Sequence, residues 1–94
     1  MERVYKYSLL FKSEEQSFQL PGGATLIHFA MQGGMPMLWA KVDCSPSIKY
    51  EFRKFILRET GENIDQPKIR HIGTTLDGSY VWHLFEILSG KIPV

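Results

Sequence analysis

The densest run of apolar positions is residues 79–87, SYVWHLFEI. Two alternating sets run through it, Tyr80, Trp82 and Leu84 in one phase and Val81, Phe85 and Ile87 in the other. A strand apolar on both faces belongs inside a sheet, covered from both sides. Aromatic and β-branched residues also suit that pleated, buried surface. The run therefore predicts a central strand, entered through Asp77-Gly78, a strong short-range hairpin signal. Alternation recurs along the chain. Residues 4–11 place Tyr5, Tyr7, Leu9 and Phe11 on one face, and 17–20 form a short strand with Phe18 and Leu20 inward. Pro21-Gly22-Gly23 stops that strand, because proline cannot donate to a ladder and glycine accepts positive φ. In 24–32, Thr25, Ile27, Phe29 and Met31 oppose Leu26, His28, Ala30 and Gln32. Gly33-Gly34 then predicts a hairpin. The return strand, 37–44, sets Leu38, Ala40, Val42 and Cys44 against Met37, Trp39, Lys41 and Asp43. Residues 69–75 read as a further strand of mixed faces.

The segment 46–59 supports two readings. Ile48, Tyr50 and Phe52 alternate as in a strand, and Phe55 and Leu57 follow in the opposite phase. A β-bulge near Arg53-Lys54 would absorb that shift. The rival is a short helix with Ser45 as N-cap, Pro46 in the first turn, and Ile48, Phe52, Phe55, Ile56 and Glu59 along one face. The aromatic and β-branched content favours the strand. The predicted fold is all-β, with one short helix near 46–59 as the variant. About seven strands joined by Gly, Pro and Asp turns make an antiparallel sandwich or small barrel. Residues 1–94 read as one domain, with 88–94 a frayed tail.

Composition agrees with a folded core: 44% of the 94 residues are hydrophobic and 13% aromatic. A net charge of +1 gives no overall drive toward nucleic acid or anionic membrane. The single cysteine, Cys44, excludes an internal disulfide and fits a reducing compartment. No apolar run reaches the ~18–20 residues a membrane span needs, and the first residues lack the pattern of a signal peptide. The expected location is the cytoplasm.

The residues that carry chemistry are scattered. His28, His71, His83 and Cys44 fall in four different predicted strands, without the short spacing that makes a metal site credible. His83 shares a face with Val81 and Phe85, which predicts a buried, hydrogen-bonded histidine. No serine sits in a nucleophile elbow, and Asp43, Asp65, Asp77 and Glu86 are isolated carboxylates. The paired glycines are turns, with no helix after them to hold phosphate. These patterns predict no catalytic residues, no metal and no cofactor. Lys49, Arg53, Lys54 and Arg58 form a basic run opposed only by Glu51, which suits phosphate or an acidic partner and equally a solvated edge strand. Trp39 shares its predicted outer face with Lys41, and an outward tryptophan beside basic groups can stack a base or anchor an interface. The candidate binding surface is therefore Trp39, Lys41, Arg53 and Arg58.

Several stretches together resemble an uncharacterised family of small proteins encoded by bacteriophages and bacterial genomes. They are Val4-Tyr5-Lys6-Tyr7, Leu20-Pro21-Gly22-Gly23-Ala24, Leu38-Trp39-Ala40-Lys41-Val42-Asp43, Phe55 with Thr60-Gly61, His71-Ile72-Gly73-Thr74, and Val81-Trp82-His83-Leu84-Phe85-Glu86. The family usually has Gly-Thr-Gly where this chain has Glu59-Thr60-Gly61, and tends to end at the position of Glu86. The resemblance implies a phage-linked origin and so the cytoplasm of a bacterial host; it assigns no activity. With no catalytic constellation, the expectation is a non-enzymatic binding protein that occupies a host protein or sequesters a small ligand. The alternative is a nucleotide or single-stranded nucleic-acid module on a small barrel, marked by strong salt dependence. Exposed sheet edges also make a homo-oligomer plausible.

Overall fold

Apolar alternation produces strands where each side chain in one phase finds a facing sheet. In the computed structural model, which describes residues 1–66 and 68–88, seven strands form. They are β1 (Glu2–Ser8), β2 (Gln16–Pro21), β3 (Thr25–Gln32), β4 (Met35–Asp43), β5 (Tyr50–Glu59), β6 (Ile69–Asp77) and β7 (Tyr80–Ile87). One sheet has the order β1-β4-β3 and the other β2-β5-β7-β6, with antiparallel neighbours throughout. The two sheets face each other as a sandwich and do not close into a barrel. The described residues contain no helix, so none is long and apolar enough to cross a membrane. The proposed frayed tail lies, apart from Leu88, outside the described residues.

Both predicted hairpins are present. Gly33 and Gly34 take φ of 59° and 77° between β3 and β4, and Gly78 takes 60° between β6 and β7. Positive φ at those positions matches the turn's twist to that of the flanking strands. The central strand is also where the pattern placed it: β7 lies between β5 and β6. Trp82, Leu84 and Glu86 face the other sheet, while Val81, His83, Phe85 and Ile87 face outward. Leu9, Leu20, Phe29, Leu38, Ala40, Val42, Phe55, Leu57 and Leu84 pack as one buried layer between the sheets.

The strand favoured within 46–59 forms as β5, and the rival helix does not. Asp43 Oδ1 accepts from Ser45 N–H (2.8 Å) and Oγ (2.6 Å), and Ile48 N–H closes a turn on Ser45 C=O. Other expectations are corrected. β5 has no bulge at Arg53-Lys54; its pairings with β2 and β7 run without a register shift. The apolar phase changes because Tyr50 and Phe52 are outward and exposed, while Glu51 and Arg53 hold the inward positions before Phe55 and Leu57. The bulges lie instead at Ile27 in β3 and Ile72 in β6. The first breaks the alternation of 24–32, so Leu26 and Phe29 both face the core and Ile27 is half exposed. Strand β1 is also shorter than 4–11: it ends at Ser8, and Phe11 turns to meet Trp82 with ring centroids 5.3 Å apart.

Candidate functional site

An acid in the inward phase of a buried strand needs partners, because an unpaired carboxylate away from water is expensive. Glu86 is that acid, 5% exposed on the inner face of β7. Register places Arg53 of β5 and Arg70 of β6 on either side of it, since Phe55 and Arg70 are its cross-strand partners. Arg53 donates through Nε to Oε2 (2.6 Å) and through Nη2 to Oε1 (2.8 Å), a bidentate pair. Arg70 Nη2 donates to the same Oε1 (2.6 Å), and Arg53 Nη1 donates to Ala24 C=O (2.6 Å). Burial pushes the Glu86 carboxyl up, but the bonds and charge of Arg53, then of Arg70, outweigh it and hold the group below its usual range. The Glu86 bond in turn raises Arg53. Glu51, also on the inner face, turns Oε1 to Gly23 N–H (3.4 Å).

The cluster forms one wall of an open cleft of about 400 Å³ between β3 and β6, lined by Ala24, Thr25, Leu26, Arg53, Arg70, His71 and Ile72. Its two arginines and one glutamate leave a net positive charge. The two cations differ in freedom. The Arg53 side chain is 12% exposed and Arg70 55%. Among the described residues Arg70 commits one of its five N–H donors, so the rest point to solvent or to the cleft. A cation tethered through one donor, with spare donors beside Leu26 and Ile72, can take an oxyanion attached to an apolar group.

The outer face of the same sheet carries a second polar cluster. Thr60 Oγ1 lies 2.8 Å from His83 Nε2, Thr74 Oγ1 is 2.9 Å from His83 Nδ1, and His71 Nε2 is 2.9 Å from Thr74 Oγ1. His83 is half-buried and its two ring nitrogens are both occupied. Beside it a shallower hollow of about 260 Å³ is lined by Arg58, Thr60, Ile64 and Phe85 among others. Arg58 spends its donors on backbone there, with Nε to Asn63 C=O (3.0 Å) and Nη1 to Ser13 C=O (2.7 Å). No group of three or more His, Cys, Asp or Glu side chains among the described residues is placed to hold a metal ion.

The residues singled out in the sequence are not gathered in one place. Trp39 and Lys41 lie on the outer face of the three-stranded sheet, where Trp39 is half-buried against His28 at 5.4 Å between centroids. Arg53 points into the sandwich and Arg58 to the outer face of the four-stranded sheet. The pair that completes the Arg53 site, Glu86 and Arg70, was not in that set. A signal existed: Glu86 continues the phase of Trp82 and Leu84, and Arg53 that of Phe55 and Leu57. No curated protein and no solved structure matches the chain. A family model described as a domain of unknown function, DUF7352, does match, over residues 1–91, and the chain belongs to that family.

Proposed function

We propose that this chain is a non-enzymatic binding protein of phage type, which sequesters a small organic anion in the cleft between its sheets. The observation that carries the reading is Arg70: it is anchored at one end on buried Glu86, yet keeps most of its donors uncommitted at the cleft mouth. Arg53 cannot serve as freely, because three of its bonds are already made. A carboxylate or phosphate would meet the Arg70 fork, and its apolar portion would lie on Leu26 and Ile72. The cleft is within the size range of small-molecule sites, roughly 300–1,000 Å³. The phage-linked resemblance adds a setting, the cytoplasm of an infected bacterium, in which removing a host metabolite would be useful.

The test is a titration of isotopically labelled protein with inorganic phosphate, phenyl phosphate and a short-chain carboxylate, followed by amide chemical shifts. Saturable shifts at Thr25, Leu26, Arg70 and His71, lost in Arg70→Gln while the melting temperature holds, are expected. If none of the three anions perturbs those amides, the cleft is not a ligand site.

A second reading rests on Trp39. It shares an exposed sheet face with Lys6, its register partner, and with Lys41, the pairing of aromatic and cation that single-stranded nucleic acid uses. Oligonucleotide affinity that falls steeply with salt and with Trp39→Ala would favour it.

A further inference from the structure

Every open sheet ends in strands whose outer N–H and C=O groups have no partner, and folded proteins defend such edges. This sandwich has four: β1 and β3 in one sheet, β2 and β6 in the other. Three are defended. β3 and β6 each carry a bulge, at Ile27 and Ile72, and they lie side by side, with Met31 N–H reaching Thr75 Oγ1 (3.4 Å). β2 ends on Pro21, and its first residue, Gln16, is fastened to Leu10 by two bonds, Leu10 N–H to Oε1 (2.8 Å) and Nε2 to Leu10 C=O (2.9 Å). β1 has no proline and no bulge, and every residue of it except half-buried Tyr7 is exposed.

The parity of β1 tells which of its backbone groups are unpaired. Met1 C=O accepts from Cys44 N–H (2.8 Å), and Leu9 N–H donates to Pro36 C=O (2.9 Å). In an antiparallel ladder, bonded residues alternate with unbonded ones, so the odd-numbered residues of β1 bond β4. Glu2, Val4, Lys6 and Ser8 turn their N–H and C=O groups outward.

We propose that β1 is a dimerisation edge, pairing antiparallel with β1 of a second copy about a twofold axis at Val4. The occupant follows from the charges. With Val4 opposite the partner's Val4, Glu2 lies opposite the partner's Lys6 and Lys6 opposite the partner's Glu2, and Arg3 meets the partner's Tyr5. Within one chain Glu2 Oε2 lies 3.7 Å from Lys41 Nζ and Lys6 Nζ donates to Gln32 Oε1 (2.6 Å), exposed contacts that the pairing would share or replace. All the outward groups of Glu2, Val4 and Lys6 are then satisfied. A slip of two residues sets Lys6 opposite Val4 and Glu2 opposite Ser8, with no charge matched. A slip of four sets Lys6 opposite Lys6, and like charges directly opposed are destabilising. The edge is thus complementary to itself in one register, as a twofold interface requires. The product is a continuous six-stranded sheet, β3-β4-β1 joined to its own copy.

Sedimentation equilibrium over a range of concentrations tests this. The unaltered chain is expected to dimerise. Val4→Pro removes an outward N–H that β4 does not use, so it is expected to give a monomer with little change in melting temperature. Glu2→Lys and Lys6→Glu each set like charges together at both ends, and each should weaken the dimer about tenfold. An equimolar mixture of those two variants should restore it, because opposite charges then meet at both ends. A chain that stays monomeric at millimolar concentration overturns the proposal. So does a dimer that survives Val4→Pro, or a mixture no tighter than the single variants. Should Val4→Pro fail to fold, the charge variants and their mixture decide alone.

Discussion

The two faces of the four-stranded sheet each carry a polar cluster, and the clusters are built on opposite terms. On the inner face Glu86, Arg53 and Arg70 are charged, and the first two are nearly out of water. On the outer face Thr60, His83, Thr74 and His71 form a chain of comparably short bonds with threonine and histidine side chains alone, at the rim of a hollow. The difference teaches that bond length says little about what a cluster contributes. What matters is the state left behind when one member goes. An exposed hydroxyl or half-buried imidazole that loses its neighbour can turn to water, whereas a largely buried guanidinium that loses its carboxylate has little water to turn to.

Removing Glu86 should therefore strain that contrast most. Glu86→Ala leaves Arg53, largely buried in the cleft wall, without its counter-charge, and a loss of about 3–5 kcal/mol of unfolding free energy is expected in urea titration. Acid should do the same more gently. Since the carboxyl is held below its ordinary range in the fold, its contribution is fully present above the unfolded value of about 4.3 and disappears as pH falls through the folded value. Melting temperatures measured from neutral pH downward should show this loss, and Glu86→Gln should flatten the acid limb. A stability that ignores both the substitution and the acid would mean that the inner cluster is as replaceable as the outer one.

His83→Ala is the matching experiment outside. It deletes two bonds to threonine hydroxyls, both of which can be re-solvated at the rim. About 1 kcal/mol is expected. A loss as large as that of Glu86→Ala would show the outer hydroxyls sealed from water, and the two faces would then be alike.

Legibility in the sequence divides along the same line. Where both phases of a strand are decided by packing, alternation was enough: β4 turns Leu38, Ala40 and Val42 inward, and β7 splits Trp82 from Phe85. Where an extra residue breaks the ladder, period-two reading fails beyond it, as at Ile27, because nothing in the local composition marks which residue is squeezed out. The charged site was hidden for a different reason. A basic run reads as a solvated face until its register is known, and only pairing reveals that Arg53 and Arg58, five positions apart, point to opposite sides. Glu86 was visible as an acid in an apolar phase, yet its partners lie 33 and 16 residues away in the chain. Register across three strands brings them together.

The smallest effect should come from the residue that most misled the phase of β5. Phe52 is 72% exposed, whereas Ile56, four residues on along the same outer face, is 1% exposed. At the Arg58 end of β5 the loops before β2 and after β5 are tied down, through Arg58 to Ser13 and Asn63 and through Gln66 Nε2 to Glu15 (3.4 Å); Phe52 lies at the other end of the strand. Phe52→Thr keeps a residue suited to strands while removing the ring, so a change within about 0.5 kcal/mol is expected. Chemical denaturation at low protein concentration measures it. A loss several times larger there would place Phe52 under cover within a single chain. The outer face would then have to be treated as a second packed layer along its whole length, and the division between the inner carboxylate–guanidinium cluster and the outer hydroxyl–imidazole one would fall.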